Sequence, residues 1–334
     1  MSELRIRDAG QVIGRLDPGP WNAITDVSGV RVGHTTISDQ QLGVYSGVTA
    51  IVPHGRRLPA GFSVANGYGK FVGATQVMEL GEIETPILLT STLSTFRVAD
   101  ALLTWIIDRA DEPVRSINPV VGEVNDTWLS YTNLRPITPE HVWSALDTAR
   151  SGPVDMGNVG GGTGACALGY KAGIGTSSRK VRVRGRDAVV GVLVQANMGG
   201  ELRLRGQLVT PQSLDLPMAG PRSAEGSCVV VVAIDFPCSA RQLTRIANRG
   251  VLALGRTGAA YSHGSGDYAL AFSTDAGSPP SDLRSGELDL VFAAVMDSVE
   301  EAVLDALLAA TTVTAPCGRQ AVAVPHSAVL KALS

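Results

Sequence analysis

A chain of 334 residues, 44% of them hydrophobic, holds enough apolar material for one large or two ordinary domains with a sizeable core. Its 28 basic and 31 acidic residues leave a formal charge of -3, with Lys and Arg spread along the sequence, which excludes the basic stripe of a nucleic-acid binder. Met1–Asp8 lacks the apolar core of a signal peptide and no later run approaches the ~18 apolar residues of a bilayer span, so a cytoplasmic location without a membrane partner is expected.

In chain order, short β-rich runs come first: Val30-Arg31-Val32, Gly47 to Val52 and Phe62-Ser63-Val64, separated by Pro, Gly and Asp turn signals. A helix is predicted from Phe71 to Leu80, closed by Gly81, then a buried strand at Pro86–Thr90 and an amphipathic helix near 97–110. Thr138 with Pro139 opens another helix. After a glycine-rich passage, Ala188–Val194 and the run from Ser227 through Val232 read as strands buried on both faces. Ser239 and Gln242 predict a capping box for a helix through Ala247, closed by Gly250. Tyr268, Leu270 and Phe272 alternate as a half-buried strand, Leu288–Ala293 reads as another, and Ser298 with Glu301 is expected to cap a last helix. Strands in clusters followed by helices in pairs exclude regular βαβ alternation and predict two stacked sheets covered by helices on both outer sides.

Cys166, Cys228, Cys238 and Cys317 form no CxxC pair and the five histidines show no zinc-site spacing, so reduced, mostly buried thiols and no metal are expected. Gly226-Ser227 stands where the polar stretch Pro221–Glu225 meets Cys228-Val229-Val230-Val231-Val232. If the bond before Ser227 breaks, one residue gains both a nucleophilic hydroxyl and an α-amine to activate it. Around it stand Gly264-Ser265-Gly266-Asp267, able to orient an ammonium or hydroxyl, and Asn197, whose amide can donate to an oxyanion. Each also has a plain structural reading: a strand-edge serine, a polar turn, an asparagine before a glycine pair. Gly160–Ala165, with Lys171 soon after, lacks the Lys-Ser or Lys-Thr of a phosphate loop and a convincing strand before it, so close packing explains its glycines. A rival nucleophile is Ser262, in a degenerate elbow, Ala260–Gly264. His34 and His54 read as structural or surface residues.

At these residues the chain resembles the self-processing L-aminopeptidase/D-amidase-esterase family of the DmpA type, which includes the β-peptidyl aminopeptidases. The resemblance runs from Ile24–His34 through Asn66-Gly67-Tyr68-Gly69, Thr85–Thr90, Val120–Asp126, Gly160–Gly164 and Gly173–Arg179 to Gln195-Ala196-Asn197, Gly226-Ser227, Arg256-Thr257-Gly258 and Gly264–Asp267. It implies an α/β (α+β) four-layer αββα sandwich, like N-terminal-nucleophile hydrolases but differently connected. It implies a single domain, 1–334, cleaved before Ser227 into chains 1–226 and 227–334 that stay together in a homo-oligomer, often a tetramer, without cofactor. By position Ser227 matches the nucleophile, Asn197 the oxyanion amide, Ser265 and Asp267 the pair beside the nucleophile, and Lys171 a lysine lining related sites. Glu123 lies where relatives bind the substrate's free amine, with Asn125 a companion. Lys70, Ser91 and His263 depart from the family pattern, where Glu, Asn and Asn are usual.

The expected activity is release of N-terminal residues from short peptides, aminoacyl amides or esters through an acyl-enzyme on Ser227. The alternatives are a non-catalytic binding or assembly relative of the same fold, or a hydrolase using Ser262.

Overall fold

The computed structural model describes residues 4–220, 225–275, 277–278 and 281–333; Pro221–Ala224, before the Gly226-Ser227 junction, lie outside them. The first half runs β1 (Val30–Asp39), β2 (Val44–Pro53), β3 (Leu58–Gly67), β4 (Phe71–Val72), α1 (Ala74–Leu80), β5 (Glu82–Ile83), β6 (Ile87–Ser91), α2 (Thr95–Ile107), β7 (Val120–Val124) and α3 (Pro139–Asp147). The small ribbon β8 (Cys166–Ala167) and β9 (Tyr170–Lys171) precedes the long β10 (Ile174–Val183) and β11 (Arg186–Asn197). A second ribbon, β12 (Arg203–Leu204) and β13 (Gln207–Leu208), leads to β14 (Glu225–Ile234), α4 (Ala240–Leu254), β15 (Gly264–Ser273) and α5 (Ser285–Leu308). Ribbon β16 (Val313–Thr314) with β17 (Gln320–Ala321) and helix α6 (His326–Leu333) follow.

Two sheets result, ordered β1-β2-β6-β7-β4 and β10-β11-β14-β15-β3-β5. Within them β6 and β7 are parallel, as are β14 and β15, and the other neighbours are antiparallel. The period of two along each strand divides its side chains between layers. On β14, Val229 and Val231 join Ile51, Leu89, Leu193 and Leu270 in a core between the sheets, while Val230 and Val232 face α4 and α5. On the other sheet Val48, Ala50 and Leu88 pack against α2 and α3. The order is therefore helix, sheet, sheet, helix, the predicted αββα sandwich. The continuous valine run has no polar alternation because both of its faces are covered, each buried side chain contributing about 1.5–3 kcal/mol.

Several elements differ from the sequence reading. Phe71 and Val72 belong to β4, because β7 offers them a partner, and α1 begins only at Ala74. Gly81 does close α1, in the left-handed region at φ 70°. The β15 strand is buried on both faces. Helix α4 continues past Ala247 and through Gly250 to Leu254, since Gly250 packs closely under Val230. Ser239 Oγ does accept the Gln242 N–H (3.3 Å), but the Gln242 side chain turns away to bracket Leu283, donating to its carbonyl and accepting its N–H.

The largest correction is the predicted strand Leu288–Ala293, which is helical and part of the 24-residue α5. Leu288, Val291, Phe292, Val295, Val299, Ala302 and Val303 share one core at helical spacing. Ser298 and Glu301 lie inside this helix and cap nothing. Glu301 instead anchors a buried ion cluster: its Oε2 accepts from Arg179 (2.6 Å), and its Oε1 from Arg7 (2.7 Å) and Asn22 (2.5 Å). One turn on, Asp305 accepts from Arg5 (2.7 Å), so the N-terminal segment is strapped across α5.

Candidate active site

One end of the sandwich opens into a cleft of about 940 Å³ between the two sheets. Glu123 and Asn125 enter it from the end of β7, Gly226 and Ser227 from the start of β14, and Tyr68 to Lys70 from the turn after β3. Far apart in sequence, Lys70 and Glu123 meet because β4 pairs with β7, Phe71 opposite Gly122, which brings the preceding and following residues side by side.

Ser227 is 2% exposed and lies in an interior strand, opposite Asn197 on β11 and Gly266 on β15. Registered neighbours share a face, so Ser227 and Asn197 point to the same side of the sheet. The Ser227 hydroxyl donates to its own preceding carbonyl, Gly226 O (2.6 Å), and accepts the Gly266 N–H (3.3 Å). Asn197 is braced at both ends of its amide: Oδ1 accepts the Cys166 N–H (3.0 Å), and Nδ2 donates to the Asn125 carbonyl (3.0 Å). That amide has a second N–H, without a partner among the described residues. The Asn125 side chain itself is occupied by Thr127.

Ser265 and Asp267 flank Gly266 and so fall on the opposite face, in register with Gly226 and Cys228. They stand beside the nucleophile candidate but do not share the face of its hydroxyl. Ser265 Oγ donates to Asp267 Oδ1 (2.8 Å) and Asn66 Nδ2 to Asp267 Oδ2 (3.1 Å). Burial raises the Asp267 carboxyl above its ordinary value, and these two bonds oppose the rise. Asn66 was not singled out in the sequence as a partner for Asp267; its side chain also ties down the Tyr261 and Ser262 carbonyls.

Lys171 does not line the cleft. Its fully buried ammonium donates to three backbone carbonyls, Ala172 (2.5 Å), Ala165 (2.8 Å) and Gly162 (3.3 Å), and burial lowers its pKa to about 8. Through that loop it supports Cys166, whose N–H fixes Asn197. Gly160–Gly162 forms a buried turn against β2 and β6. Ser262 lies after α4 and before β15, the reverse of the strand-turn-helix that a nucleophile elbow requires. His34 is half-buried with its Nδ1 2.9 Å from Thr49 Oγ1, and desolvation brings it down to about 4, consistent with a structural role.

Glu123 is 1% exposed; Oε1 accepts the Lys70 backbone N–H (3.0 Å), whereas Oε2 is buried without a hydrogen-bond partner among the described residues. Burial raises its pKa, and the Lys70 charge opposes the rise. Gly69 is needed here, since a Cβ would sit 2.9 Å from Glu123 Oε1 and 3.1 Å from the Tyr268 hydroxyl.

Beneath the cleft, Asp126 accepts from Ser91 (2.6 Å) and Ser46 (3.3 Å), and burial lifts it to about 7 despite those donors. Because the folded value is raised, its contribution to stability is full below the ordinary value near 4 and is lost as pH rises through about 7. The slope reaches at most about 1.4 kcal/mol per pH unit. Asp126→Asn is expected to flatten the decline in urea midpoint between pH 4.5 and 7; an unchanged slope would remove Asp126 as its source.

The profile of Peptidase family S58 matches residues 22–321. This chain belongs to peptidase family S58. The S58 likeness extends to individual proteins along the full length: the beta-peptidyl aminopeptidase BapA of Sphingosinicella microcystinivorans is 37% identical over 365 residues, covering 98% of this chain and 92% of the relative. A beta-aminopeptidase from Burkholderia sp. superposes with a TM-score of 0.91 at 35% identity, covering 99% of this chain and 98% of that one. The L-aminopeptidase D-Ala-esterase/amidase of Ochrobactrum anthropi, described as a prototype serine aminopeptidase and a variant of the Ntn hydrolase fold, gives a TM-score of 0.88 at 37% identity, covering 98% of each chain. The S58 chain is accordingly a hydrolase of the aminopeptidase kind, built on an Ntn-hydrolase-like sandwich.

Proposed function

We propose that this S58 protein cuts itself between Gly226 and Ser227 and then releases N-terminal residues from short peptides, aminoacyl amides or esters. The observation that carries the reading is the position of Ser227: a hydroxyl against the Gly226 carbonyl, at the wall of a cleft whose other wall holds a buried carboxylate oxygen without a partner among the described residues. In the first phase the Ser227 hydroxyl adds to the Gly226 carbonyl carbon, the C–N bond breaks to give an ester and a free Ser227 amine, and water hydrolyses the ester to the Gly226 carboxylate.

In the second phase the α-amine, with an ordinary pKa of ~7.7–8.0, takes the hydroxyl proton as Ser227 attacks the substrate carbonyl. Ser265 stands opposite Gly226, so once Gly226 has left it is placed to accept from that amine, with Asp267 behind it; this division of faces supports a role toward the amine rather than the hydroxyl. Asn197 offers its second N–H to the oxyanion. Glu123 Oε2 receives the substrate's ammonium, which explains a requirement for a free N-terminus. Lys171 acts as a positioning residue through the loop that holds Asn197. The two fragments remain together in a homo-oligomer, a tetramer in this reading, in the cytoplasm; among the described residues no helix is long and apolar enough to cross a membrane.

A denaturing gel and an intact-mass measurement test the first phase. The 34.8 kDa chain, shared between 226 and 108 residues, should give fragments of roughly 24 and 11 kDa. A chain that stays whole and hydrolyses nothing would favour the non-catalytic module. For the second phase, Asn197→Ala is expected to lower kcat about 10²- to 10³-fold with KM changed only a few-fold. A change confined to KM would make Asn197 a binding residue.

A further inference from the structure

Among the described residues lining the cleft, Lys70 and Glu123 are the charged ones. The Lys70 ammonium donates to Thr92 Oγ1 (2.8 Å) and lies 3.6 Å from Glu123 Oε1. An ammonium has three donors, and these two neighbours leave one uncommitted among the described residues. The Lys70 side chain is 37% exposed and the Glu123 side chain 2%, so the lysine is the wetter partner of the pair and is open to a ligand. Its backbone is fixed as well, since its own N–H bonds to Glu123 beside the close-packed Gly69.

Charge balance decides what this arrangement accepts. The empty pair is neutral. A substrate ammonium on Glu123 Oε2 brings two cations against the one carboxylate of this pair, an imbalance that the burial of Glu123 makes costly. A substrate whose N-terminal residue carries its own carboxylate restores neutrality, and the free Lys70 N–H is the donor that would meet it. A second ammonium on the substrate would make the imbalance worse.

We propose that Lys70, held by Thr92, forms an anion subsite beside Glu123, so that the preferred N-terminal residue is acidic: aspartyl in α- or β-linkage, or α-linked glutamyl. This rests on the aminopeptidase reading of the same cleft and specifies its substrate class.

The test is a panel of aspartyl, glutamyl, alanyl and lysyl p-nitroanilides with the processed protein. The kcat/KM for the acidic pair is expected to exceed that for alanyl about tenfold, with lysyl lowest. Lys70→Met should collapse the acidic-to-alanyl ratio to near one through KM, Lys70→Arg should keep it above one, and Lys70→Glu should invert the order. An alanyl substrate turned over as well as the acidic ones, or a ratio indifferent to Lys70→Met, overturns the subsite while leaving the aminopeptidase intact. If no anilide is hydrolysed, the aminopeptidase reading fails, and calorimetric titration then decides the subsite alone. Aspartic acid α-amide binding about tenfold tighter than alaninamide supports it, and equal binding overturns it.

Discussion

Ser227→Ala is expected to run as a single 34.8 kDa band where the parent protein gives two fragments, and to lose aminopeptidase activity by a factor on the order of 10⁴–10⁶. Both losses have one origin. The hydroxyl lies 2.6 Å from the Gly226 carbonyl oxygen in the unbroken chain, beside the internal bond, and Ser227 lines the cleft that would admit an external one. A methyl group at this position adds no bulk, and among the described residues it removes only the bonds to Gly226 and Gly266, so the strand should persist. The variant thus separates chemistry from folding: circular dichroism should match the parent. Ser262→Ala is the control, and it is expected to split and turn over normally. Cleavage in the Ser227→Ala chain, or activity lost in the Ser262→Ala chain alone, would move the nucleophile elsewhere.

Glu301→Leu is expected to destabilise the protein by about 3–5 kcal/mol. Glu301 and Arg179 are both 0% exposed, and the carboxylate gathers Arg179, Arg7 and Asn22 inside the layer between α5 and β10. Removing the acid strands the Arg179 guanidinium in a site closed to bulk solvent. Among the described residues the remaining acceptors are Ser177 Oγ and the carbonyls of Ser178, Ile13 and Asp297, which satisfy hydrogen bonds but carry no charge. The discriminating measurement is the double variant Glu301→Leu with Arg179→Met. Replacing the whole pair by apolar groups should recover most of the lost urea midpoint. A double variant as unstable as the sum of its parts would show that the two side chains act through packing rather than through each other.

These two residues mark what the sequence displayed and what it concealed. The run Cys228–Val232 was legible as a strand buried on both faces because nothing else accounts for uninterrupted β-branched residues ending at a polar junction. Leu288–Ala293 was not, because five apolar residues around Asp289 fit a buried strand and a buried helix equally, and only the contacts of the next fifteen residues decide. Around the site, residue types could be read but directions could not. Ser265 and Asp267 were expected beside Ser227, and they are; that they lie across the sheet from its hydroxyl depends on the pairing of Gly266 with Ser227, which no spacing encodes. Lys171 followed the glycine loop as expected, yet its ammonium closes on three carbonyls and not on the cleft. Lys70 and Glu123, 53 positions apart, became neighbours only through the short β4–β7 pairing.

The place of β14 inside the second sheet has a consequence for how such a protein is renewed. Its neighbours are β11 from the segment before residue 226 and β15 from the segment after it, and β15 in turn pairs with β3. A break before Ser227 would leave two polypeptides sharing one set of ladders, neither of which could complete the second sheet or cover the valine core alone. Folding before the cut is a first-order search within one chain; recovery after it would be a second-order encounter between two incomplete ones, slower at the dilution of a cell. The cut would therefore act as a ratchet: the mature assembly is reached once, through the intact chain, and a molecule that later unfolds is replaced rather than restored.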